Sequence, residues 1–211
     1  MSIGLRAEPP RDALEYGPRP DPELGVLETI LVERCAIPAL EAHIGRLDAS
    51  ARAIYRREPP SDLAVRIRAQ ASGHSGRLRV TLTPDGTVTV GRAPLGAPPI
   101  YTAVAPFTLP GGLGAHKWAD RRLLDALTEA AGGALPLLLD SDGAVLEVSW
   151  ANVLIEEGAR LISPPDDGRA LPGIGRRRLE YDEEPVDLDR LLAADAVVLT
   201  SALRVVRLPL A

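Results

Sequence analysis

Of the 24 basic side chains in this 211-residue chain, one is a lysine, Lys117, and the other 23 are arginine. Such a replacement of lysine, beside abundant Ala, Pro and Gly, follows the composition of a GC-rich coding sequence, so arginine abundance as such carries no functional message. The surviving amine does, because a guanidinium can neither shed its proton nor condense to an imine. Cysteine is equally scarce: Cys35 stands alone, which excludes an intramolecular disulfide framework and fits a reducing, cytoplasmic setting. No neighbouring His or cationic cluster marks that thiol as activated. Positive charge is not in excess either. The formal charge of −5 argues against a general nucleic-acid binder. No basic-then-apolar leader opens the chain and no apolar run approaches the ~18 residues of a membrane span, so no membrane partner is expected. His43, His74 and His116 are far apart, and with one cysteine there is no ligand spacing for a metal site.

What is present is an ordinary globular balance, 45% hydrophobic and 25% charged. Residues 1–25, rich in Pro, Gly and charge, read as an irregular lead-in. "VLETILVE" from residue 26 is strand-like. Leu40, Ile44, Leu47, Ala51 and Ile54 then fall at helical spacing in a helix introduced by Pro38. "GRLRVTLTPDGTVTVG" alternates apolar and polar residues about a Pro-Asp-Gly turn, which predicts a hairpin. A strand near residue 100 leads through the glycine-rich "LPGGLGAHK" into a helix expected over 118–131. Beyond it, short strands separated by Asp-Gly and Glu-Gly turns alternate with a short helix near 188. The boundaries drawn from this pattern are a small α/β domain over 26–108, a linker over 109–115 and a β-rich C-terminal domain with helices over 116–211.

Several familiar sites are absent. "GHSG" around Ser75 lacks the spacing of a nucleophile elbow. "LPGIGRRR" has neither a third glycine nor the βαβ frame of a dinucleotide site. Lys117 remains as the residue with distinctive chemistry. An amine used for imine formation must be deprotonated from a free pKa of about 10.4, and burial or a neighbouring cation lowers it. Arg121 or Arg122, a turn along the expected helix, would supply that cation. Solvation on the surface is the alternative for the same residue.

The segments "GVLETILV", "LEAHIGRLDASA", "HKWADRRLL", "LPLLLDSDGAVLEVSWANVLI", "LISPPDDGRALPGIGRRRLE" and "LAADAVVLTSAL" occur in the order and roughly the spacing of the class IV, or fold type IV, pyridoxal-phosphate enzymes. The chain resembles that family over most of residues 24–208, and within it the aminodeoxychorismate lyases. The resemblance implies an α+β, two-domain fold of the D-amino-acid-aminotransferase type, pyridoxal 5′-phosphate as cofactor, a small-molecule amine substrate and a homodimer. By position, Lys117 is the catalytic residue, bonding the cofactor covalently and shuttling the proton. Glu147, in "VLEVSWAN", matches the acid that pairs with the pyridine nitrogen. Arg46, in "AHIGRL", matches the phosphate-binding arginine. It lies roughly 120° around the helix from Leu40, a position open to a cleft or to water. The N–H groups of Ile174 and Gly175, at the start of an expected helix, and the Ser201 hydroxyl complete the phosphate cradle. The family often has threonine at position 175, and glycine there removes one side-chain donor. Arg176, Arg177 and Arg178 read as a solvated helix face. Asn152 is open between a structural and a site role, and His116 reads as a packing residue.

Branched-chain transaminases carry a tyrosine five residues after the lysine, where this chain has Arg122. "KWADRRLL", with Asp120 and Arg121, is closer to the lyases. The implied reaction converts 4-amino-4-deoxychorismate to 4-aminobenzoate and pyruvate in folate synthesis. A class IV aminotransferase using a keto-acid acceptor and a non-catalytic homologue are the alternatives.

Overall fold

The structure, a computed structural model, describes residues 9–101 and 103–210. Its strands are β1 (Arg11–Asp12), β2 (Val26–Val32), β3 (Gly76–Leu82), β4 (Val88–Ala93), β5 (Val104–Thr108), β6 (Leu135–Leu139), β7 (Val145–Val148), β8 (Ala151–Glu157), β9 (Arg160–Ser163), β10 (Asp182–Glu183), β11 (Ala196–Thr200) and β12 (Val205–Pro209). Its α-helices are α1 (Leu40–Tyr55), α2 (Leu63–Ala71), α3 (Arg122–Ala130) and α4 (Leu188–Ala193). The chain forms two compact units. The small one comprises Pro20–Ala97 and His116–Arg121, and the large one the residues up to Arg19, Pro98–Ala115 and Arg122 onward.

In the small unit β2, β3 and β4 form an antiparallel sheet. Strand β3 alternates as its sequence requires, sending Leu78, Val80 and Leu82 inward with no exposed surface. Each such burial contributes about 1.5–3 kcal/mol, so a one-residue slip that turned all three outward is excluded. Helices α1 and α2 close this face with Leu40, Leu47, Ala51, Leu63 and Ile67. The stripe read from residues 40–54 is therefore the one that packs. Strand β2 is buried along nearly its whole length, and a second segment, residues 117–119, pairs with its first residues.

The large unit is a nine-stranded sheet with the order β1-β5-β6-β7-β8-β11-β12, and with β9 and β10 branching from β8. Strands β5 and β6 are parallel, joined by a crossover that contains α3, whereas β6 to β8 and β11 to β12 are antiparallel. One apolar layer, including Val148, Val153, Ile155 and Leu199, packs on one face. The other holds Phe107, Leu109, Leu123, Leu127 and Leu138. Asp187 caps α4 by accepting from the Arg190 N–H at 2.8 Å.

Three segments differ from the sequence reading. Residues 11–16, within the supposed lead-in, pair with β5 through β1 and pack Tyr16 edge-on against Phe107 at 5.5 Å, with the Arg11 guanidinium 4.4 Å from the Phe107 ring centre. Strand β5, placed by sequence in the small domain, is an inner strand of the large sheet. Residues 116–121, read as the start of the C-terminal domain, belong with the small unit, and α3 begins only at Arg122.

Candidate active site

Lys117 sits on an extended segment instead of a helix. The Leu27 N–H donates to the Lys117 carbonyl at 2.8 Å, the Ala119 N–H to the Gly25 carbonyl at 3.0 Å, and Trp118 bridges Val26. Gly25 makes this approach feasible: its φ is +95°, and a Cβ would stand 2.5 Å from the Leu82 carbonyl oxygen. Asp120 is buried and accepts from the Asp21 N–H at 3.0 Å, fixing the segment's far end. Because helix α3 starts after Lys117, helical spacing does not carry Arg121 or Arg122 back to the amine. The Lys117 side chain is half-buried. Beside it, the His116 Nδ1 is 3.0 Å from the Ser50 hydroxyl and its ring meets Trp118 edge-on at 5.4 Å. Burial lowers the His116 pKa, which keeps the imidazole neutral at pH 7 and agrees with a packing role.

Arg46 projects from α1 toward β2. Its Nε donates to Glu28 Oε1 and its Nη2 to Glu28 Oε2, both at 2.7 Å, a fork-on-fork pair. His43, one turn earlier, donates from Nδ1 to the same Oε2 at 2.7 Å. Glu28 and His43 are each 2% exposed. Burial alone would raise the Glu28 pKa, but the hydrogen bonds and charges of Arg46 and His43 outweigh it and hold the carboxyl below its ordinary value. The sequence reading passed over Glu28. The signal was there: a single acid inside the apolar run "VLETILV" needs a buried partner. Adjacent β2 residues thus register both small-unit candidates, Leu27 by a backbone bond to Lys117 and Glu28 by its grip on Arg46.

The remaining candidates lie in the large unit. Glu147 on β7 pairs with Asn152 on β8, which pairs with Thr200 on β11, so the three form a row across one face. All three are buried. Asn152 is structural: its Nδ2 donates to the Leu171 carbonyl at 2.8 Å, and a Cβ on Gly173 would stand 1.6 Å from its Oδ1. This contact draws the 171–173 backbone onto the row and delivers the next residues to the end of β11. Those residues, Ile174–Arg178, form a five-residue 3-10 helix where an α-helix was expected. The first bond of its ladder runs from the Arg176 N–H to the Gly173 carbonyl at 3.2 Å. The Ile174 and Gly175 N–H groups precede that ladder, and any donor role rests on these two groups and not on a long helix dipole.

Gly175 abuts the end of β11 closely. A Cβ there would lie 2.4 Å from the Ser201 carbonyl oxygen and 2.6 Å from Thr200 Oγ1. Thr200 has no exposed surface, and its hydroxyl has no hydrogen-bond partner. Ser201 opens the β11 to β12 turn, its N–H donating to the Arg204 carbonyl at 2.9 Å and its hydroxyl to the same oxygen at 3.4 Å. Arg178 ties that turn through the Ala202 carbonyl at 2.7 Å. Arg176, read as part of a solvated face, is buried, donating to Ser163 Oγ at 3.1 Å and pairing with Asp166 at 3.0 Å. Among the described residues no group of three or more His, Cys, Asp or Glu could hold a metal ion, and no helix is long and apolar enough to cross a membrane.

Comparison with known proteins bears on this arrangement. The family model for amino-transferase class IV matches residues 25–208. A proposed amino-acid aminotransferase from Mesorhizobium loti superposes with a TM-score of 0.75 at 22% identity, covering 88% of this chain and 99% of that one. A proposed 4-amino-4-deoxychorismate lyase from Legionella pneumophila gives 0.74 at 18% identity, over 99% of this chain and 90% of that one. A hypothetical aminotransferase from Mycobacterium tuberculosis, in its pyridoxal-phosphate-bound form, gives 0.69 at 24% identity, over 87% and 79%. No curated protein sequence matches the chain. At these identities the structural likeness shows the shared α+β fold.

Proposed function

Starting from the chain's membership of the class IV aminotransferase family, whose cofactor is pyridoxal phosphate, we propose that it is a lyase that converts 4-amino-4-deoxychorismate to 4-aminobenzoate and pyruvate. The fit to the cofactor rests on two observations in the large unit. A buried carboxylate, Glu147, shares a sheet face with Thr200, and at the end of that face the Gly175 backbone adjoins a buried hydroxyl that has no hydrogen-bond partner. An acid suits a protonated pyridine nitrogen, and a group of donors suits a phosphate.

In this reading Lys117 anchors the cofactor and is the proton carrier. Bound pyridoxal phosphate supplies an electron sink for the substrate carbon that carries the amine. The Lys117 Nζ accepts the proton from that ring carbon and returns one to the departing enol, so the atoms of the substrate divide completely between aromatic amine and pyruvate. Glu147 keeps the pyridine nitrogen protonated. Arg46, aligned by Glu28, and the Ile174 and Gly175 N–H groups with Ser201 hold the phosphate. The neutral, packed imidazole of His116 excludes water from one flank of the Lys117 segment.

The observation that carries the lyase over the transaminase is Arg122. Where branched-chain transaminases place a ring-contacting tyrosine, this chain has an exposed arginine that opens α3. The second reading is an amino-acid aminotransferase, the activity proposed for the Mesorhizobium loti protein. Incubation with 4-amino-4-deoxychorismate and pyridoxal phosphate separates the two. Release of 4-aminobenzoate and pyruvate without any keto acid is expected; dependence on a keto-acid acceptor would replace the lyase by the transaminase.

A further inference from the structure

We propose that the Thr200 hydroxyl is a ligand of the cofactor phosphate, supplying from β11 the side-chain donor that Gly175 lacks; this rests on the cofactor assignment made above. The space in which a residue-175 side chain would begin is already taken: its Cβ would lie 2.6 Å from Thr200 Oγ1 and 2.4 Å from the Ser201 carbonyl. The second contact is with backbone, so no rotamer change at Thr200 would restore room. A side chain at position 175 would have to displace backbone, and the hydroxyl of Thr200 stands at that place instead.

That hydroxyl is out of balance. It is fully buried, yet it neither donates nor accepts a hydrogen bond. A hydroxyl always carries a proton to donate, and a buried orphan of this kind normally has a partner. No acceptor in the structure takes its proton. The adjacent Gly175 N–H is a donor, the Asn152 Nδ2 in the same cross-strand row donates to the Leu171 carbonyl, and neither the Asn152 Oδ1 nor the Ser201 carbonyl makes a hydrogen bond with it. Donors meeting without an acceptor call for an anionic oxygen, and a phosphate provides several.

The apo protein titrated with pyridoxamine 5′-phosphate and, separately, with pyridoxamine tests this without turnover and without covalent attachment. Thr200→Val keeps the shape and removes the hydroxyl. It should bind pyridoxamine 5′-phosphate about tenfold or more weakly, the usual range for a hydrogen bond to a charged group, while its affinity for pyridoxamine stays unchanged. Thr200→Ser should retain phosphate-dependent affinity, and the unfolding midpoint of apo Thr200→Val should not fall, since an unmet donor has been replaced by a methyl group. Wild-type affinity of Thr200→Val for the phosphorylated ligand, or an equal loss for both ligands, would overturn the proposal while leaving the cofactor assignment intact. Failure of the wild-type protein to prefer the phosphorylated form would remove both.

Discussion

Two buried polar side chains, Glu28 in the small unit and Thr200 in the large one, are treated in opposite ways. In the small unit Glu28 is saturated: two bonds from Arg46 and one from His43 fill its oxygens, and the cluster reads as a brace that sets the direction of Arg46 from β2. In the large unit Thr200 is buried with its hydroxyl unmet, beside the Gly175 backbone at the start of the 3-10 helix. A closed cluster stabilises the fold before anything binds. An open one leaves stability unclaimed until an acceptor arrives, and this is the signature expected of a ligand site.

The contrast can be broken most severely at Lys117. Lys117→Ala should abolish borohydride-dependent fixation of pyridoxal phosphate and lower turnover by at least ~10³-fold, whereas Glu147→Gln should retain fixation and lose turnover. Absorbance spectra before and after reduction check both. The next largest effect is on folding. Glu28→Leu strands the Arg46 guanidinium and the His43 ring in an apolar setting and should destabilise the protein by about 3–5 kcal/mol in denaturant titration. Glu28→Gln gives a sharper version through pH. Because the folded carboxyl is held below its unfolded value, its contribution is complete above about pH 4.3 and is lost as pH falls through the folded value. The acid limb of the wild-type stability profile should therefore flatten in Glu28→Gln.

A smaller effect is expected at the close approach in the large unit. Gly175→Ala drives a methyl against the Ser201 carbonyl and should cost about 1–3 kcal/mol, read as a lower melting temperature together with weaker binding of pyridoxamine 5′-phosphate. The smallest lies outside both clusters. Arg52 pairs with Asp48 and Glu58 on the surface, and Arg52→Ala should leave the unfolding midpoint within experimental error.

The parts of this molecule that are local in sequence were legible. The α1 stripe and the β3 to β4 hairpin follow from period and turn chemistry, and Leu47, Ala51, Leu78 and Val80 pack as that period requires. What was misread depends on partners far away in the chain. Strand β1 is two residues long, too short for any period, and exists because β5 lies beside it. "HKWADRR" has the composition of a helix start, yet backbone bonds to Gly25 and Leu27 and the Asp120 contact with Asp21 hold it extended. For the candidate site, the residues matched to the family could be named from sequence. Their surroundings could not, since neither the Glu28 grip on Arg46 nor the collision between position 175 and Thr200 leaves a trace in spacing. Arg176 shows the same limit: within a run of three arginines nothing distinguishes the one that is buried.

The small unit draws on two stretches of chain, Pro20–Ala97 and His116–Arg121, with β5 of the other unit made in between. Lys117 leaves the ribosome about ninety residues after Val26, and until then the start of β2 presents unpaired amide groups to any neighbour. Expression of residues 20–97 as a separate fragment would reproduce this unfinished stage permanently, and self-association through β2 is the behaviour to expect of it.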